Sequence, residues 1–208
     1  MRSFLPRNKL FFYEVRDYTT MIHRLPNILT IFRIILIPLL VLGFQLPGMW
    51  CNWVTLSIFV IAGATDYFDG LLARRLEATT DFGRMLDPIA DKMLAVAAIA
   101  MLLSVGNIPL IPALIIVCRE ILVSGLREYL ANLSIGIPVT SLAKWKTAVQ
   151  FAALAMLLVG DAVRWPAGEV VGMSEIGSGF IWLAAALTVV TGYGYWRTGY
   201  RHIIRDKN

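Results

Sequence analysis

Six long apolar blocks divide this chain, and they constrain its fold more than any other feature of the sequence. The blocks cover residues 27–46, 53–72, 84–105, 109–130, 142–160 and 176–196. Each is close to the length of about 20 helical residues that crosses a hydrocarbon core. Because lipid offers no hydrogen bonds to the backbone, helices are the expected spanning form. The sequence therefore predicts an all-α integral membrane fold with six transmembrane helices.

The composition agrees with a membrane fold and argues against other classes of protein. Of the 208 residues, 58% are hydrophobic and only 16% are charged, whereas soluble domains are about one half apolar and about one quarter charged. The net charge of +5 is spread over the flanks of the blocks and forms no single basic patch, so no nucleic-acid partner is predicted. Cys51 and Cys118 lack metal-ligand spacing, which indicates ordinary packing thiols.

Lysine and arginine residues fall mainly on one side of the predicted membrane. The N-terminal segment, the link between the second and third blocks, the start of the fifth block and the C-terminal tail carry most of them, whereas the opposite side has only Arg164. The positive-inside rule then puts both termini in the cytoplasm. We divide the chain into an N-terminal cytoplasmic or interfacial segment, 1–24, and a six-helix transmembrane domain, 25–208.

The N-terminal segment mixes phenylalanine, leucine and tyrosine with arginine and lysine. It lacks the continuous apolar core and the small-residue cleavage site of a signal peptide. The mixture is typical of an interfacial amphipathic helix. A basic tail that only enforces the topology is the alternative, and both interpretations remain open.

Four aspartates lie near the ends of the second and third blocks, in "DYFDGLLARR" and "DFGRMLDPIAD": Asp66, Asp69, Asp87 and Asp91. Helical positions three or four apart share a face, so each pair forms an acidic stripe. The short link between the blocks predicts antiparallel neighbouring helices whose acidic stripes face each other. A carboxylate at the centre of a membrane helix costs about 2.5–3.5 kcal/mol, so a cluster of four needs compensation.

Divalent cations would supply that compensation. Clustered carboxylates without histidine or cysteine suit Mg²⁺ or Mn²⁺, and paired ions are a common device for substitution at phosphorus. Gly70, Ala73 and Gly83 leave room for a ligand beside the carboxylates, although each would also serve helix packing. Two alternatives are solvated acidic helix ends and a cation transporter. The common depth of the four acids, with no acidic relay to the far side, disfavours a transporter.

The spacing of these residues resembles the signature of the CDP-alcohol phosphotransferase (phosphatidyltransferase) family. The residue that the signature requires is present at each of its eight positions: Asp66, Asp69, Gly70, Ala73, Arg74, Gly83, Asp87 and Asp91. The stretches "PNILTIFRIILIP", "REILVSGLRE" and "KWKTAVQ" resemble the bacterial branch that uses glycerol 3-phosphate. The resemblance implies a multi-pass enzyme of the bacterial inner membrane, usually homodimeric, with a cytoplasmic active site. Such an enzyme transfers the phosphatidyl group of CDP-diacylglycerol to a hydroxyl acceptor and releases CMP.

The resemblance also implies roles for individual residues. The four aspartates would hold Mg²⁺ or Mn²⁺, two ions in all, and Asp91 would be the general base. Binding of CDP is assigned to Asn27, Thr30, Asp66, Asp69, Gly70, Ala73, Arg74 and Gly83. Asn27, Thr30 and Arg33 share one face of the first block, where a polar contact between helices is an equal alternative.

Four cations of the fourth and fifth blocks indicate an acceptor that carries its own phosphate: Arg119, Arg127, Lys144 and Lys146. Glycerol 3-phosphate fits this description, and serine does not. The last three of these cations could instead set the topology, and Arg119 could pair with Glu120 or another buried carboxylate. Inositol phosphate, serine or a lipid as acceptor, and a non-enzymatic cation-binding membrane protein, remain the alternative functions.

Overall fold

The structure, a computed structural model, describes residues 28–76, 81–132, 140–160 and 172–205. These residues form six helices. In chain order they are α1 (Ile28–Gly43), α2 (Met49–Leu76), α3 (Asp81–Ser104), α4 (Leu110–Asn132), α5 (Ser141–Val159) and α6 (Met173–Arg205). The prediction of an all-helical fold is confirmed for this part of the chain.

Helix α5 is capped at both ends, and a glycine follows the end of α3. The side chain of Thr140 accepts a hydrogen bond from the backbone N–H of Ala143 at 3.3 Å and so begins α5. Gly160 ends α5 with a φ of 52°, and its N–H donates to the carbonyl oxygen of Met156. Gly106 has a φ of 74° just after α3, in the left-handed region that glycine occupies at little cost.

Helices α5 and α6 pack together most extensively, α4 packs against α6, and α2 packs against α5. The contact between α2 and α5 includes stacked rings of Phe59 and Phe151, whose centroids are 4.5 Å apart. Gly63, one turn after Phe59, makes room for the Phe151 ring. The core contains fully buried side chains from every helix, among them Leu40, Phe59, Ile99, Ile116, Leu157 and Ile181.

Large apolar side chains also cover the outside of the helices. Exposed examples are Trp53, Leu114, Ile121, Leu122, Trp182 and Val190. Apolar surface this extensive is unusual for a soluble monomer. Two helical stretches are long and apolar enough to cross a membrane, Ser141–Val159 and Met173–Arg197. Both observations point to a membrane protein.

The helices differ from the predicted blocks mainly at their ends. Helix α6 continues to Arg205, beyond the predicted end of its block at residue 196, and α2 continues to Leu76. Hydropathy detects the part of a helix that suits lipid, whereas backbone hydrogen bonds continue into polar sequence. The predicted interfacial helix over residues 1–24 lies outside the described residues.

Candidate active site

The first aspartate of the motif is held by an arginine from another helix. Arg33 of α1 points its Nη2 at Oδ1 of Asp66 on α2, at 3.2 Å. The Arg33 side chain is 1% exposed, whereas that of Asp66 is 51% exposed. A buried guanidinium needs such a carboxylate, because an uncompensated charge there would be costly. Of the two roles that the sequence left open for Arg33, the polar contact between helices is present, and it holds one carboxylate of the motif.

The remaining motif residues lie on the two helices that the sequence predicted. Asp69 belongs to α2, and Asp87 and Asp91 belong to α3, which contacts α2. Asn27 lies outside the described residues. The surroundings of seven further motif positions are also not described: Asp69, Gly70, Ala73, Arg74, Gly83, Asp87 and Asp91. Among the described side chains, no group of three metal-binding residues occurs. The half-exposed carboxylate of Asp66 is a hard oxygen donor of the kind that Mg²⁺ or Mn²⁺ takes. The four-aspartate metal cluster stays a prediction.

Thr30, predicted to help bind CDP, is 1% exposed and lies one turn before Arg33 on α1. This burial fits a contact between helices. Its role toward a nucleotide also stays a prediction.

An open cavity of about 870 Å³ lies between α3 and α4. Its apolar part includes Ile89, Met93 and Val123, and its polar part includes Arg119, Glu120 and Arg127. Lys92 of α3 donates to Oγ of Ser124 on α4, so a polar contact joins the two walls. Lys92 and Glu128 also line it, so its polar part holds three cations and two carboxylates beside the apolar part. Such a mixture suits an amphipathic ligand with an anionic head.

Arg119 of α4 is fixed by residues of α6. Its Nη2 donates to Oγ1 of Thr191 at 3.0 Å, and its Cζ lies 5.7 Å from the ring centroid of Tyr195. Its Nη1 is 3.4 Å from Oε1 of Glu120, a long contact for a charged pair. The Arg119 side chain is 15% exposed and borders the cavity.

Glu120 makes its closer contact with Lys146 of α5. The side chains of Lys146 and Glu120 are 4% and 17% exposed, so this ion pair is largely buried. Within the described helices, α4 and α5 are linked by this pair of side chains and not by close backbone packing. The alternative in which Arg119 pairs with Glu120 is thus present as a long contact, while Lys146 is the closer partner of that carboxylate.

The four cations proposed for the acceptor thus differ in their surroundings. Arg119 and Arg127 border the same cavity, and Arg127 is exposed. Lys146 is buried and is joined to Arg119 through Glu120, whereas Lys144 is exposed. Neither lysine is among the residues that line the cavity.

Sequence reasoning missed Thr191 and Tyr195. A usable signal was present, because Thr188, Thr191 and Tyr195 share one face of an otherwise apolar helix.

Comparison with known proteins identifies the family. The family model described as CDP-alcohol phosphatidyltransferase matches residues 23–190. A Rickettsia bellii protein is 43% identical over 173 residues, which cover 83% of this chain and 93% of the relative. Relatives from Pseudomonas fluorescens and Cereibacter sphaeroides are 41% and 36% identical; each alignment covers 88% of this chain, and 93% and 98% of the relative. All three are named CDP-diacylglycerol–glycerol-3-phosphate 3-phosphatidyltransferase. The chain therefore belongs to the CDP-alcohol phosphatidyltransferase family.

Proposed function

We propose that this chain transfers the phosphatidyl group of CDP-diacylglycerol to glycerol 3-phosphate, giving phosphatidylglycerophosphate and CMP. The names of its relatives support this reaction. The structural observation that carries the proposal is the cavity between α3 and α4, whose lining combines apolar side chains with Arg119 and Arg127, beside two glutamates. The reaction needs such a combination, because its donor is a lipid and its acceptor is an anion.

The enzyme works in the bacterial inner membrane, with six transmembrane helices, an interfacial N-terminal helix and both termini in the cytoplasm. The exposed apolar side chains and the two helices of spanning length support the membrane setting. The uneven placement of lysine and arginine supports the orientation. The family resemblance further implies a homodimer, which light scattering in detergent would test.

The donor site is built from the two acidic stripes. Asp66, Asp69, Asp87 and Asp91 are the residues that would hold Mg²⁺ or Mn²⁺, in two sites. Bound ions of this kind neutralise the charge of a diphosphate. The ion pair with Arg33 fixes the position of Asp66, and this supports a preorganised set of carboxylates. Cytidine would lie against Gly70, Ala73 and Gly83, with Arg74 beside the phosphates and with Asn27 and Thr30 also contacting CDP.

Asp91 takes the proton of the acceptor hydroxyl. The acceptor oxygen then forms a bond to the phosphorus that bears the lipid, and the bond from that phosphorus to the CMP oxygen breaks. Positioning and neutralisation of charge supply most of the rate of such a transfer.

The acceptor phosphate is bound by cations of α4 and α5. The backbone positions of Arg119 and Arg127 are separated by about 12 Å along the helix axis. Because both side chains are long, their guanidinium groups can reach the same ligand. Exposed Lys144 adds charge at the start of α5, and Lys146 acts together with Glu120. Arginine is suited to phosphate because its planar fork donates two hydrogen bonds at once.

The acceptor is tested with purified protein, CDP-diacylglycerol and Mg²⁺. Glycerol 3-phosphate, inositol phosphate and serine are supplied singly, and CMP release is measured. We expect release with glycerol 3-phosphate alone. Release with another acceptor but none with glycerol 3-phosphate would overturn the assignment.

A matched pair of variants tests the cationic wall. Arg127→Gln should raise the KM for glycerol 3-phosphate about tenfold and leave the KM for CDP-diacylglycerol unchanged. Arg197→Gln removes an exposed arginine of α6 that does not line the cavity, and it should leave both constants unchanged. An equal effect of the two changes would mean that overall charge, and not this site, governs acceptor binding.

A further inference from the structure

Three residues of α6 lie against the Arg119 side chain, and none of them lines the cavity. Thr191 accepts a hydrogen bond from its Nη2, Tyr195 presents its ring to the guanidinium, and Gly192 lies against the aliphatic stem. Thr191 and Tyr195 are 5% and 6% exposed, so these contacts are protected from solvent. We propose that Thr191, Gly192 and Tyr195 are positioning residues that aim Arg119 at the acceptor phosphate. This inference rests on the proposed function.

Arg119 needs such support because a free arginine side chain is mobile. A long side chain that becomes ordered loses much of its rotamer entropy, and in a membrane it tends to extend toward the polar interface. Contacts made before the acceptor arrives remove part of that loss from the binding step. Fixing Arg119 from α6 therefore favours tight binding of the anion.

The guanidinium keeps donors and charge for a ligand. It carries five N–H donors. One N–H group, on Nη2, donates to Thr191 at 3.0 Å, and a second, on Nη1, donates to Glu120 at the longer distance of 3.4 Å. Lys146 is the nearer cation to Glu120, so this carboxylate is shared and does not cancel the charge of Arg119.

The hydroxyl of Thr191 is oriented as an acceptor. Its single proton is directed at the helix backbone, where the carbonyl oxygen of Leu187 lies 2.8 Å away. The lone pairs of Oγ1 are thereby left for Nη2 of Arg119. Valine has the same shape without the hydroxyl, and serine keeps the hydroxyl without the methyl group. The two substitutions therefore separate hydrogen bonding from packing.

Thr188 supplies a matched control one turn earlier on α6. It is fully buried, and its Oγ1 has no hydrogen-bond partner among the residues that the structure describes. We expect Thr191→Val to raise the KM for glycerol 3-phosphate about 5- to 20-fold, because it removes a hydrogen bond to a charged group. Thr188→Val should leave that constant within about twofold, since no comparable bond is lost. Thr191→Ser should restore most of the lost affinity.

Two glycines of α6 supply a second matched pair. A Cβ added at Gly192 would lie 3.2 Å from Cγ and 3.7 Å from Nε of Arg119. A Cβ added at Gly194 would meet no atom of the described chain within 4 Å. Both changes to alanine favour the helix equally. Gly192→Ala should raise the KM for glycerol 3-phosphate about threefold by displacing the arginine, and Gly194→Ala should not.

The decisive experiment measures kcat and both KM values for these variants together with Arg119→Gln. The positioning role predicts a raised KM for glycerol 3-phosphate with an unchanged KM for CDP-diacylglycerol. If Arg119→Gln raises the acceptor KM but Thr191→Val and Gly192→Ala do not, the positioning inference is overturned and the acceptor site stands. If Arg119→Gln also has no effect, both assignments of this arginine are wrong.

A purely structural role of the α6 contacts is distinguishable from a positioning role. A structural role predicts that Thr191→Val lowers the melting temperature and the yield of active protein without changing the acceptor KM. That outcome would also overturn the inference. Absence of CMP release with glycerol 3-phosphate in the unsubstituted protein would instead refute the proposed function itself.

Discussion

Lys146→Met is expected to destabilise the protein, because it removes the close partner of a largely buried carboxylate. The Lys146 and Glu120 side chains are 4% and 17% exposed, so water screens their charges poorly. Removing one member of a buried ion pair costs about 3–5 kcal/mol. Here Nη1 of Arg119 remains 3.4 Å from the same carboxylate oxygen and offsets part of the loss. We therefore expect a smaller cost, about 2–3 kcal/mol, below the usual range.

The measurement is thermal unfolding in detergent, followed by tryptophan fluorescence. For a chain of this size, about 2–3 kcal/mol corresponds to a fall of about 4–12 °C in Tm. Lys144→Met is the matched control, since it removes a lysine two positions away that is exposed. It should change the Tm by no more than about 1–2 °C, as exposed substitutions usually do.

A double substitution separates loss of the pair from loss of packing. Glu120→Gln together with Lys146→Met removes both charges, and the double variant should recover at least about 1 kcal/mol relative to the sum of the single changes. Strictly additive effects would show that the two side chains are not coupled. A Tm for Lys146→Met equal to that of Lys144→Met would refute the buried ion pair.

Three further predictions concern the chemistry and the packing. Asp91→Asn should abolish turnover and leave the Tm unchanged, because it removes the proposed base but keeps the side-chain shape; full activity would make that assignment wrong. A chelator should abolish CMP release, and added Mg²⁺ or Mn²⁺ should restore it, whereas activity that persists without divalent ions would contradict the metal sites. Gly63→Ala should cost about 1–3 kcal/mol, because its methyl group would overlap the Phe151 ring that stacks on Phe59. Gly179→Ala is its control, since a Cβ there meets nothing within 4 Å in the described residues, and an equal loss of stability in both would exclude the steric explanation.

The helices could be predicted from the sequence because bilayer thickness sets the length of an apolar block. All six helices lie where those blocks lie, and they differ mainly at their polar ends. The aspartates could be assigned to two neighbouring helices because three- and four-residue spacings have a direct meaning on a helix. Helix contacts between α2 and α3 agree with this assignment.

The partners of the buried charges could not be predicted in the same way. Arg33 reaches Asp66 on another helix, and Lys146 reaches Glu120 across 26 residues. Such pairs depend on how each helix is rotated about its axis, and hydropathy does not define that rotation. The contact of Thr191 with Arg119 was harder still to predict. A hydroxyl within an apolar helix usually donates a hydrogen bond to the backbone of its own helix, as the Thr191 hydroxyl also does.

A competition experiment tests whether glycerol 3-phosphate is the acceptor. Purified protein is incubated with CDP-diacylglycerol, Mg²⁺ and equal concentrations of glycerol 3-phosphate, inositol phosphate and serine in one reaction. The lipid products are identified and quantified by mass spectrometry. We predict phosphatidylglycerophosphate as the dominant product, formed in equal amount to the released CMP. A dominant lipid that carries serine or inositol phosphate would show that glycerol 3-phosphate is not the preferred acceptor.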